Sequence, residues 1–150
     1  MQRKTKKTQA IVDGSKFKIA IVTTKFNEDI VGGMLGGALE TLKKNKVAEK
    51  NIEIVWVPGA LEIPLACQRL AKTKKYQGLV ALGCVIKGDT DHYYHVSKES
   101  IRGVMNVMLG FNISIGVGII TVNNLKQAQD RSGTKNNKGT EAAQAMLEMV

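Results

Sequence analysis

The chain has 150 residues, 43% of them hydrophobic and 23% charged, which suits one compact domain and excludes disorder for most of its length. No apolar run approaches the roughly 18 to 20 residues of a membrane helix, and the basic N-terminus lacks the apolar stretch of a secretory signal. A soluble, cytoplasmic protein without a membrane partner is expected, and its 22 Lys and Arg against 13 Asp and Glu, a formal +9, favour anionic partners.

Residues 1–14 read as a basic tail, with Arg3, Lys4, Lys6 and Lys7 and no acid in its first seven positions; without those four the charge is +5. Such a tail is either a solvated extension or a nucleic-acid arm. The three Tyr, three Phe and one Trp do not interleave with basic residues as a base-stacking platform requires, so no nucleic-acid partner is expected. Residues 15–150 contain no repeat or linker and read as a single domain.

In chain order, Phe17 to Thr24 is a β-branched apolar run that predicts a buried strand. Glu28 to Asn45 carries Ile30, Val31, Met34, Ala38 and Leu42 at helical spacing, with Asn27 expected as its cap. Ile52 to Val57 predicts a second strand and Glu62 to Thr73 a second helix, in which Pro64 is tolerable only near the start. Leu79 to Ile86 is the most apolar strand and should be central; a polar turn at residues 87–91 leads to a third helix ending near Leu109. Ile113 to Val122 predicts a fourth strand, and Asn124 to Ser132 and Thr140 to Val150 two closing helices. Alternating strands and helices with continuously apolar strands specify an α/β fold: a flavodoxin-like three-layer α/β/α sandwich on a central four-stranded parallel sheet. Ligands in such sheets bind beyond the carboxyl ends of the strands, at the loops near residues 25–27, 58–62, 87–92 and 123–125.

Those loops hold the candidate site residues. Gly88, Asp89 and Thr90 precede a helix, where free N–H groups either bind a phosphate or are capped by Asp89 or Thr90. Lys87, Arg131, Lys135 and Lys138 are candidate cations for the same anion, or solvated surface residues. His92 opens the helix, where the positive dipole end favours a neutral imidazole suited to proton transfer; the alternative is a surface or capping histidine. His95 reads as packing. The two are one turn apart, but no third or fourth ligand accompanies them, so no metal site is expected. In residues 57–64, a proline, a glycine, Glu62 and a second proline form either a rigid turn or a backbone-lined pocket for a polar heterocycle. Phe26 is a core plug or a stacking surface. Cys67 and Cys84, one in a helix and one in a strand, do not form a disulfide framework.

TTKFNEDI, VPGALEIP, ALGCVIKGDTDH and RSGTKNNKGTEAA, in this order and spacing, closely resemble the lumazine synthase family of riboflavin biosynthesis, over about Phe17 to Val150. The resemblance implies condensation of 5-amino-6-(D-ribitylamino)uracil with 3,4-dihydroxy-2-butanone 4-phosphate, without cofactor or metal. It implies that Phe26 stacks on the pyrimidine, and that Ala60, Leu61, Glu62 and the strand end Cys84, Val85 and Ile86 hold the ring and ribityl chain. Asp89, Thr90 and Arg131, with Lys138 as an additional contact, would hold the phosphate, and His92 would move protons. It also implies a homo-oligomer, a pentamer or a multiple of pentamers such as an icosahedral shell, whose sites lie between subunits and take Arg131 and Val117 from the neighbour. Four departures stand out: Val117 where members usually have Phe or Asn, Tyr94 for an acid, Leu61 for an aromatic, and GTKNNKG one residue shorter than the usual GTKAGNKG. Two rivals remain at this stage, a related riboflavin-synthase-like condensing enzyme and a non-catalytic basic shell or binding protein.

Overall fold

The computed structural model describes residues 11–150. Nine principal elements alternate along the chain: β1 (Ile19–Thr24), α1 (Glu28–Lys44), β2 (Ile52–Val57), α2 (Ile63–Lys72), β3 (Gly78–Ile86), α3 (His92–Phe111), β4 (Ser114–Val122), α4 (Leu125–Asp130) and α5 (Lys138–Glu148). The four strands are all parallel in the order β2-β1-β3-β4, so β1 and β3 are interior. This is the expected α/β three-layer sandwich.

Strand alternation explains the two layers of core. Ile19, Ile21, Val80 and Leu82 face α1 and α5, where Val31, Met34, Ala143 and Leu147 are buried. Ala20, Val22, Leu79 and Ala81 face α2 and α3, packing on Ile63, Cys67 and Val104. Because both faces are covered, β1 and the first eight residues of β3 are buried without interruption, which is why they read as continuous apolar runs.

Several boundaries shift from the expected ones for local reasons. Asn27 does not cap α1 through its side chain: it adopts a left-handed conformation, φ 56°, and its amide donates instead to Cys84 O at 3.0 Å. Glu62 sits in a short 3-10 turn ahead of α2, which then starts at Ile63 with Pro64 in its first turn. α5 starts at Lys138, before the expected Thr140, because Asn137 Oδ1 accepts from the N–H groups of Gly139 and Thr140. Residues 1–10 of the expected tail lie outside the described residues. Val12 and Gly14 are fastened to Asn45, by Val12 N to Asn45 Oδ1 at 2.8 Å and Gly14 N to Asn45 O at 2.7 Å.

Candidate active site

Two hollows hold most of the expected site residues, and the chain keeps them apart. The first lies beyond the carboxyl ends of β1, β2 and β3 and has a volume of about 370 Å³. Phe26, Ala60, Leu61, Glu62, Cys84, Val85, Ile86, Thr90 and His92 all line it, joined by Thr24, Tyr93 and Val96. It contains no Lys or Arg.

Sheet register sets this hollow. Lys25 N donates to Val57 O at 2.9 Å and Phe26 N to Pro58 O at 3.1 Å, so the turn after β1 is zipped to the turn after β2. Thr24 Oγ1 donates to Phe26 O at 2.9 Å, and the Asn27 amide ties the same turn to β3. These bonds hold the Phe26 ring 70% exposed at the mouth, too open for a core plug. Gly59 leads into the 3-10 turn that presents Ala60, Leu61 and Glu62. Cys84 is buried in the wall, and desolvation, with the Asp29 carboxylate adding to it, pushes its thiol up to about 11; Cys67, deeper, is pushed to about 12 by burial alone. Both are therefore neutral and poorly nucleophilic near pH 7.

At the entry to α3, Thr90 Oγ1 accepts from His92 N at 3.3 Å, the capping alternative for this threonine. Asp89 is exposed and stands outside the lining of the hollow. His92 is exposed as the first residue of α3. His95 is exposed too, so it does not pack as expected: α3 turns its Val104 and Val107 face to the sheet. The Lys87 ammonium lies over the Tyr94 ring, 5.6 Å from its centroid, and Tyr94 meets Tyr93 edge to face. Tyr94 thus gives Lys87 a partner where an acid was expected. Among the described residues no group of three or more His, Cys, Asp or Glu is placed to hold a metal.

The second hollow, about 420 Å³, runs along β4 and α5 and is lined by Val117, Ile119, Thr121, Arg131, Lys138 and Glu141 among others. Its two cations are organised by the 131–138 loop. Lys138 N donates to Arg131 O at 2.9 Å, and Arg131 Nη1 donates to Gln127 O at 3.0 Å. Lys138 Nζ is 2.7 Å from the Glu141 carboxylate, so its charge is already partnered, whereas no carboxylate lies within 4.0 Å of Arg131 among the described residues. Lys135 is exposed and lines neither hollow.

One residue missed in the sequence holds this loop. The Asn137 amide donates to Gly33 O at 2.9 Å, Gly133 O at 3.2 Å and Ser132 O at 3.3 Å, while its oxygen caps α5. The loop and α5 come so close to α1 that a Cβ on Gly139 would lie 1.9 Å from Met34 O.

Comparison with known proteins shows the family of the chain. Residues 16–150 match the model of the 6,7-dimethyl-8-ribityllumazine synthase family. A 6,7-dimethyl-8-ribityllumazine synthase of Leuconostoc mesenteroides is 47% identical over 141 residues, covering 93% of this chain and 90% of that one. The chain belongs to the lumazine synthase family. It is accordingly an enzyme, a transferase of riboflavin biosynthesis that catalyses the lumazine-forming condensation. Among solved structures, a GDP-L-fucose synthetase from Naegleria fowleri aligns at a TM-score of 0.41 and 12% identity, over 88% of this chain and 46% of that one. A likeness that distant says nothing about a lumazine synthase site. No helix among the described residues is long and apolar enough to cross a membrane.

Proposed function

We propose that the two hollows are complementary halves of one lumazine synthase active site, joined across the interface between two copies of the chain. The observation that carries this reading is the separation of chemistry. The hollow with the aromatic ring, the strand-end backbone, Glu62 and His92 has no cation, while Arg131 and Lys138 line a different hollow on the same chain. A substrate pair with one flat heterocycle and one phosphate needs both. A head-to-tail interface that closes into a ring supplies both to every site, in keeping with a pentamer or a multiple of pentamers.

In this reading Phe26 stacks on the pyrimidine of 5-amino-6-(D-ribitylamino)uracil, with Val117 of the neighbouring copy on the far side. Backbone groups of Ala60 and Leu61 and of Cys84 to Ile86 pair with the ring and ribityl chain, and Glu62 accepts from ribityl hydroxyls. The phosphate of 3,4-dihydroxy-2-butanone 4-phosphate sits on the N-terminus of α3 near Asp89 and Thr90, where the positive end of the helix dipole favours an anion, and Arg131 of the neighbour supplies the charge. Lys138 stays with Glu141 and adds to the potential without a direct bond.

The chemistry then follows in balanced steps. The uracil's 5-amino group attacks the ketone and loses water to form an imine; proton transfer, assisted by His92, drives elimination of phosphate. The ribitylamino nitrogen then closes the second ring with loss of a second water. Holding two substrates in register can supply roughly 7 to 11 kcal/mol of the barrier, so His92→Ala should retain measurable turnover.

Mixing inactive subunits tests the shared site. Phe26→Asp chains, in which a carboxylate replaces the stacking ring, and Arg131→Ala chains, each inactive, are unfolded together, refolded and assayed for lumazine fluorescence. Random closure into rings regenerates about a quarter of the wild-type sites, because each site needs one intact contribution from each neighbour. Activity no higher than that of either variant alone would place both halves on one chain.

A further inference from the structure

The site reading accounts for little of the +9 charge, and the fold shows where the rest sits. In a parallel sandwich every helix-to-strand connection lies at the amino ends of the strands, the end away from the substrate hollows. The chain also enters β1 there, through the Val12 and Gly14 bonds to Asn45. Lys16, Lys18, Lys46, Lys50, Lys74 and Lys75 are exposed at this end, outside the α-helices. Lys43, Lys44 and Lys72 join them from the last turns of α1 and α2.

Against these nine lysines and Arg69, also in the last turn of α2, stand five acids, Asp13, Glu40, Glu49, Glu53 and Glu148. The remaining eight Lys and Arg of residues 11–150 are balanced by the remaining eight Asp and Glu. The whole excess therefore belongs to this face, +5, and to the four basic residues of positions 3–7 that precede it in sequence. Compensation of helix dipoles explains cations in a last turn, but not the six lysines outside the helices. Of the cations on this face only Lys44 has an ion pair within the described residues, with Glu40 at 3.2 Å. Asp13 reports the local field: hydrogen bonds from Ser15 hold its carboxyl below the ordinary range, and the charges of Lys46 and Lys16 lower it further.

We propose that this amino-end face is a docking surface for the phosphodiester backbone of nucleic acid, bound without regard to sequence. Lys18, Lys50 and Lys75 converge on a hollow of about 220 Å³, where the one acid, Glu53, is engaged by the Tyr76 hydroxyl. Residues 14–18, 43–53 and 72–77, which carry most of these lysines, expose no large apolar side chain, whereas Leu109, Phe111, Met149 and Val150 at the same end do, so a lipid surface is the rival occupant that the test must separate. A field made almost wholly of lysines is unlike a protein-binding hot spot, which is centred on aromatic and arginine anchors. It suits a regular array of phosphates whose counterions are released on contact. The scarcity of aromatics argues against reading bases and leaves backbone contact untouched.

The test is fluorescence anisotropy of the full chain with a labelled single-stranded RNA of about 30 nucleotides in about 50 mM salt, where saturable micromolar binding that weakens steeply with salt is expected. Charge reversal in K18E/K50E/K75E should weaken binding at least about tenfold and flatten the log–log salt slope by about 2. Lumazine turnover should stay at the parent level, which also reports folding, and K18Q/K50Q/K75Q should fall between. Arg131→Ala should do the reverse, losing turnover and keeping RNA binding. Absence of saturable binding, equal binding by parent and charge-reversed chains, or tighter binding to phosphatidylserine vesicles than to RNA would overturn the proposal.

Discussion

The two hollows are built on different plans. The Phe26 hollow is shaped by backbone bonds between neighbouring strand ends, from Lys25 to Val57 and from Phe26 to Pro58, so its outline follows from sheet register. The Arg131 hollow depends on a loop whose course is fixed by one side chain, Asn137, and by the approach of Gly139 to α1. A pocket of the first kind tolerates changes to the side chains that line it. A pocket of the second kind is lost when its clamp is lost, even though the clamp touches no ligand.

The sharpest way to break this contrast is Gly139→Ala. The added Cβ would meet Met34 O at 1.9 Å, a backbone atom of α1 that cannot move alone. Overpacking of this kind costs about 1 to 3 kcal/mol or more, so the urea midpoint should fall clearly and activity with it. Asn137→Ala should cost about 1 to 2 kcal/mol through the lost cap of α5. It should also raise the KM for the phosphate substrate well above its effect on the KM for the uracil, because the Arg131 loop is released while the other hollow is untouched. Asn137→Asp keeps the capping oxygen and loses the donors to Gly33, Ser132 and Gly133, so it should recover most of the stability and little of the KM. Phe26→Ala should change stability least, within about 0.5 kcal/mol, since the ring is largely exposed. Its effect should instead be about tenfold on the uracil KM, the scale of one aromatic stacking contact.

The strands and helices were legible because their periodicity is a local property. Continuous apolar runs such as residues 79–86 announce a strand covered on both faces, and the spacing of Val31, Met34, Ala38 and Leu42 announces one buried helical stripe. The lining of the first hollow was legible for the same reason: its residues sit at the carboxyl ends of predicted strands. Asn27 was misread because its amide partner, Cys84 O, lies 57 positions away on β3, and a capping rule considers only the next turn. Asn137 is the stronger case. An Asn ahead of an Ala-rich amphipathic run is a cap signal, so half of its role was available, yet its bond to Gly33 spans 104 positions and leaves no local trace. Tyr93, which lines the hollow beside His92, carried no motif either.

Helix α1 is held at both kinds of site. The turn that carries Phe26 runs directly into its first residue, and further along it Gly33 and Met34 receive the Asn137 loop and Gly139. In a ring where each copy gave its aromatic to one site and its arginine to the next, this 17-residue rod would be the ruler between consecutive sites. A bend in one copy would shift a stacking surface on one side and a phosphate contact on the other in the same stroke. The sites of such a ring would inherit each other's errors.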